Sequence, residues 1–100
     1  MPQNFTIAAL AVPTLTSPIG SQTTDQPAFS WSSINMAVRY DVWLTDLATG
    51  TGSIVASPTT NSWTPAVALL PSHSYRWWVR AVSKNSTAGL WSLAADFVTL

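Results

Sequence analysis

A chain of 100 residues, 47% of them apolar and six of them tryptophan, is the length of one domain and has enough hydrophobic mass for a core. Four Lys and Arg stand against four Asp, with no Glu and a formal net charge of zero, so there is no electrostatic footprint for nucleic acid or an anionic membrane. The absence of cysteine excludes disulfides and thiolate metal sites.

Along the chain, the first apolar run is IAALAV at 7–12. Six residues followed by proline are too few to cross a bilayer, and residues 1–24 carry no basic side chain to open a signal peptide. Seven prolines at 2, 13, 18, 27, 58, 65 and 71 leave an ordinary helix little room, and the best 3.6-residue pattern, PAVALL at 65–70, is too short to stand alone. Strand patterns dominate instead. Seven are predicted: 10–16, 27–33, 38–46, 52–57, 61–66, 74–83 and 94–100, separated by the turn segments SPIGSQTTDQ, SSINMA, LATGTG, SPTT, LLPSH and KNSTAGLWS. Gly50 and Gly52 are expected to supply positive φ in the hairpin after Asp46. Seven short antiparallel strands in this length predict a two-sheet β-sandwich spanning 1–100 as one domain, without internal repeats. A Met directly before a Pro, with no targeting segment, fits a domain cut from a larger multidomain secreted protein as well as an intact cytosolic one.

Alternation sorts the faces. Phe29 and Trp31 oppose Ser30 and Ser32; Tyr40, Val42 and Leu44 oppose Arg39, Asp41, Trp43 and Thr45; Tyr75, Trp77, Val79 and Ala81 oppose Arg76, Trp78 and Arg80. Charges take the solvent side, because an unpaired buried charge is costly. In the segment YRWWVRA at 75–81, Trp77 is therefore core and Trp78 surface.

Leu69-x-Pro71-x3-Tyr75, followed by Trp77, Val79 and Ala81 and then Gly89 and Ser92, resembles the second half of a fibronectin type III domain, an immunoglobulin-like β-sandwich. Trp31 and Tyr40-x-Val42 are similar to the first half of that family, and the resemblance covers about residues 12–99. It implies a corner tyrosine at 75 whose hydroxyl bonds backbone a few residues upstream. It also implies that the first, second and fifth predicted strands pack against the third, fourth, sixth and seventh. One residue more than the family pattern separates Trp63 from Leu69. The loop Lys84–Gly89 lacks the Arg-Gly-Asp triplet that some members show to integrins. Leu90-Trp91-Ser92 after Arg76 and Arg80 is similar to half of the Trp-Ser motif of cytokine-receptor members, in which tryptophans interleave with arginines; the second half is absent.

Chemistry-bearing residues are few. The one histidine, His73, is expected in a surface turn before Tyr75, and carboxylates come only from Asp25, Asp41, Asp46 and Asp96. Asp41 is expected to pair with Arg39 or an arginine of a neighbouring strand, and Asp46 to open the hairpin turn. No metal cluster, phosphate-binding loop or nucleotide fingerprint is present, so the chain reads as non-enzymatic and without a cofactor. Asn4-Phe5-Thr6 and Asn85-Ser86-Thr87 match the glycosylation sequon. Ser and Thr make up about a quarter of the chain, which with scarce charge leans toward an extracellular or cell-surface setting. Trp43, Trp78 and Trp91 carry two readings. Either they form a ladder with Arg76 and Arg80 that stabilises the sheet or is covered by an adjacent domain, or they are a platform on which a protein partner or sugar rings stack. The predicted role is a spacer, adhesion or protein-interaction module of a larger extracellular or surface protein, with a carbohydrate-binding accessory module of a polysaccharide-degrading enzyme as the alternative; neither nucleic acid nor membrane insertion is expected.

Overall fold

Period-two alternation of apolar and polar side chains draws the chain into two facing sheets, seen in a computed structural model that describes residues 10–100. The Asn4 sequon and the first half of IAALAV lie outside the described residues. The strands are β1 (Leu15–Ser17), β2 (Gly20–Ser21), β3 (Phe29–Trp31), β4 (Ala37–Asp46), β5 (Thr51–Ala56), β6 (Ser62–Trp63), β7 (Ser74–Ser83) and β8 (Ala95–Val98). One sheet has the order β1-β3-β6 and the other β2-β8-β7-β4-β5. Among the described residues there is no helix.

Among the described residues there are eight strands, where seven were expected for the whole chain. The additional one is Gly20–Ser21, inside the predicted turn SPIGSQTTDQ. Gly20 adopts a φ of 76°, which a residue with a Cβ reaches only with strain, and the chain pairs in parallel with Phe97 and Val98 of the second sheet. The Gln22 N–H extends that ladder to the Val98 carbonyl at 2.9 Å. Four predicted strands are shorter than expected: 10–16 shrinks to Leu15–Ser17, 27–33 to Phe29–Trp31, 61–66 to Ser62–Trp63, and 94–100 to Ala95–Val98. Pro13, Pro27 and Pro65 have no N–H to give to a ladder, and each lies outside the strand near it. The hairpin between β4 and β5 turns on Gly50 alone, with φ 74°. Gly52 is needed for space: a Cβ there would meet Trp43 Nε1 at 2.8 Å and the Thr45 hydroxyl more closely still.

The core lies between the sheets and is largely aromatic. Phe29 packs edge-on against Trp77 at 4.8 Å and Phe97 at 5.5 Å, while Trp31 meets Tyr40 at 5.5 Å and Trp77 at 6.2 Å. Val42, Leu44, Val79 and Ala81 complete it, and Leu69 and Trp63 pack against it from the margin. β6 is seated by Trp63, whose ring lies 4.9 Å from Phe29, opposite it in register. That contact holds the short strand although Trp63 and Leu69 are one residue farther apart than in the family pattern.

Two tyrosines close loops from inside. Tyr75 accepts a hydrogen bond at its hydroxyl from the Leu70 N–H at 3.0 Å, the corner geometry that Leu69-x-Pro71-x3-Tyr75 implies. Tyr40 does the same for the Ile34 N–H at 2.9 Å, in a buried position that nothing in the sequence marks. Tyr75→Phe keeps the ring and strands one N–H. Leu70 is itself exposed, so water recovers part of the loss, and the expected cost is about 1 kcal/mol. A thermal melt should show the midpoint falling by roughly 4–8 °C; an unchanged midpoint would remove the corner from the account of stability.

Candidate functional site

The outer face of the five-stranded sheet is built by the residues that alternate away from the core on β4 and β7. The two strands pair in register with Trp43 opposite Trp78, Asp41 opposite Arg80 and Thr45 opposite Arg76. Directly opposed side chains in an antiparallel pair stand about 5 Å apart at Cβ, so the two tryptophans leave the sheet from neighbouring positions at the centre of the face. Ile54 of β5 continues the apolar row beyond Trp43. Trp91 arrives from the segment between β7 and β8. Its neighbour Ser92 is buried and pinned to Val79 twice: the Ser92 N–H donates to the Val79 carbonyl at 2.9 Å, and the Ser92 hydroxyl accepts from the Val79 N–H at 3.0 Å. With Ser92 turned inward, Trp91 turns outward, edge-on to Trp43 at 6.1 Å. The three indoles line one shallow hollow.

The charges on this face are arranged in pairs. Arg80 donates from Nε to Asp41 at 2.9 Å, and its guanidinium carbon lies 4.5 Å from the centre of the Trp91 ring. Asp41 also accepts from the Ser57 hydroxyl at 2.9 Å and lies 3.8 Å from Arg39 Nε, so this carboxylate is buried although it belongs to the outer face. Arg76 grips Asp96 of β8 with Nε and Nη2 at 2.8 and 3.0 Å. Those hydrogen bonds hold the Asp96 carboxyl below the usual carboxylate range. A second hollow lies beside this pair, lined also by Ile19, Ala94 and Ala95, and shares Trp78 with the first.

His73 stands on another part of the molecule. It is half-buried rather than a free surface residue, with Nδ1 2.9 Å from Asp46 Oδ2. Desolvation works to raise the Asp46 carboxyl, but hydrogen bonds from His73 and the Ala48 N–H outweigh it and leave the group below its ordinary value. Asp46 opens the hairpin as well, through Ala48 N–H to its side chain at 2.9 Å and Gly50 N–H to its carbonyl at 2.7 Å. Among the described residues no group of three or more His and Asp side chains is gathered to hold a metal, and no helix is long and apolar enough to cross a membrane.

Comparison with solved structures places this arrangement on a known framework. The chain superimposes on an Fn3-like protein from Clostridium thermocellum with a TM-score of 0.69 and 26% identity, covering 90% of this chain and 93% of that one. The fold is fibronectin type III-like. A β-1,2-glucanase from Parabacteroides distasonis shares the fold at a TM-score of 0.71 and 17% identity, over 94% of this chain but 13% of the glucanase. No family model matches the sequence, and no curated protein does.

Within this Fn3-like frame, Trp43, Trp78 and Trp91 come together, with Arg80 beside them. The alternating arginine–tryptophan ladder is reduced to one stacked pair, Arg80 on Trp91. Arg76 is drawn away because the β7–β8 register sets it opposite Asp96, a stronger partner than an indole face. Sequence reasoning missed Asp96 as a member of the face, and the burial of Asp41. The signal for Asp41 was its place between outward Arg39 and Trp43 on a strand whose neighbour carries Arg80.

Proposed function

We propose that this Fn3-like domain is a non-catalytic module, acting as a spacer, adhesion or protein-interaction unit of a larger extracellular or surface protein, with its contacts made to adjacent domains or a protein partner. The observation that carries the reading is the pairing off of its charged groups. His73 is held by Asp46, Arg76 by Asp96 and Arg80 by Asp41, and among the described residues no hydroxyl is hydrogen-bonded to the histidine ring as a nucleophile would be. The Ser- and Thr-rich, charge-poor composition supports the extracellular setting. A second reading, an accessory module of a polysaccharide-degrading enzyme, is favoured by the three-indole hollow and by the occurrence of the same fold as a small fraction of a glucanase chain.

The test uses the chain by itself. It should unfold in one cooperative transition and turn over neither ester nor glycoside chromogenic substrates. Turnover that disappears in His73→Ala would place a working dyad at His73 and Asp46 and end the non-catalytic reading.

A further inference from the structure

The three outer indoles differ in what already occupies them. Trp91 has the Arg80 guanidinium over its ring and the edge of Trp43 against it. Trp43 donates its indole N–H to the Thr45 hydroxyl at 3.1 Å. Trp78, among the described residues, has no ring partner, no cation over its face and no hydrogen bond at its N–H, yet it is held in the middle of the sheet and lines both hollows. Next to it, the Arg76–Asp96 pair is far from saturated. A guanidinium has five N–H donors and two of these are engaged, while each Asp96 oxygen accepts one bond where it can accept two.

We propose that the outer face around Trp78 is a binding site for neutral pyranose units of a polysaccharide. Trp78 is its stacking floor, Trp43 and Trp91 its walls, and Arg76 with Asp96 its hydrogen-bonding rim. This rests on the accessory-module reading above. A pyranose ring has a face of weakly positive axial C–H groups and an edge of paired hydroxyls. The first matches the negative face of an indole. The second matches an arginine–carboxylate pair that offers donors and acceptors side by side. The charges of the rim cancel, as do those of Arg80 and Asp41, so the surroundings of Trp78 favour neither an anionic nor a cationic ligand; the remaining cation of the face, Arg39, lies toward the other end of β4 beside Asp41. A protein surface docked on this face is the other outcome of the test.

The experiment is a titration of the whole chain with a panel of hexasaccharides: β-linked glucans of 1,2, 1,3 and 1,4 linkage, xylan, mannan and chitin fragments. Tryptophan emission and calorimetry are the readouts. At least one of these should shift and quench emission with a dissociation constant below about 1 mM. Trp78→Ala should weaken that binding roughly tenfold or more with unchanged circular dichroism. Arg76→Met and Asp96→Asn, both in exposed positions that keep the strand intact, should each weaken it several-fold and serve if Trp78→Ala does not fold. The proposal is overturned if no sugar in the panel gives a response at about 10 mM, or if the Trp78, Arg76 and Asp96 variants bind as the wild type does. An unresponsive face would pass to a protein neighbour, and the spacer reading would stand, because its own test is cooperative folding without turnover.

Discussion

Trp77→Ala is expected to cost about 3–5 kcal/mol, the range for emptying a large buried aromatic site. Trp77 is fully buried and touches both sheets, with Phe29 and Trp31 of the three-stranded sheet against its ring. Its indole N–H donates to the Pro18 carbonyl at 3.1 Å, which fastens the segment between β1 and β2 to the core. Truncation removes the ring, leaves that carbonyl short of a donor and loosens the crossing between sheets. Small domains are stable by about 5–15 kcal/mol, so the variant should lie near the edge of folding. Urea denaturation would read the loss as a lower midpoint at an unchanged slope. Trp31→Ala should fall toward the lower end of the same range, because the Trp31 indole N–H has no hydrogen-bond partner among the described residues and only packing is lost. A Trp77→Ala loss below about 1 kcal/mol would contradict the packing described above.

Arg80→Met is expected to cost about 2–3 kcal/mol, although the residue is on the outer face. Methionine keeps the aliphatic stem and removes the charge. The Asp41 side chain is 7% exposed, and without Arg80 it keeps only the Ser57 hydroxyl and a longer contact to Arg39. Removing one partner of a buried ion pair costs about 3–5 kcal/mol when both ions are deep. Here Arg80 is 29% exposed, which lowers the expectation. Loss of the guanidinium from the Trp91 ring contributes about 0.5–1 kcal/mol. The check is a double variant: Asp41→Asn should recover a good part of the loss in the Arg80→Met background and be destabilising by itself. Additive losses would mean that the two residues do not act as a pair.

The long strands were legible because alternation sustained over most of ten residues leaves little choice of face, the buried Asp41 of β4 and the adjacent buried Ala81 and Val82 of β7 being the breaks in it. Thus Trp77 inward and Trp78 outward follow from YRWWVRA, while the pairing of β4 with β7 was implied by the fibronectin type III resemblance. The short strands were not. Gly20–Ser21 has no pattern at all; its place is set by the parallel register with Phe97 and Val98, a contact across most of the chain. Tyr75 was legible from its spacing to Leu69 and Pro71, whereas Tyr40 performs the same task at Ile34 with no such signature. On the candidate site, the placing of Trp43 opposite Trp78 follows from the strand order that the resemblance implied. Trp91 joins them because Ser92 is pinned to Val79, and Arg76 leaves them because Asp96 falls opposite it. Both depend on the register of an irregular segment, which composition and period do not encode.

The parallel pairing of β2 with β8 has a mechanical meaning. β2 lies near one end of the described chain and β8 near the other, and parallel strands point the same way. Once β1, which the chain meets first, has parted from β3, tension applied at the two ends draws β2 and β8 past each other along their length. The ladder from Gly20 to Gln22 is loaded all at once in shear, where an antiparallel terminal pair would peel open one hydrogen bond at a time. A domain strung in a row of others and pulled from both sides would thus resist through three residues, Gly20 to Gln22, of a segment that read as a turn.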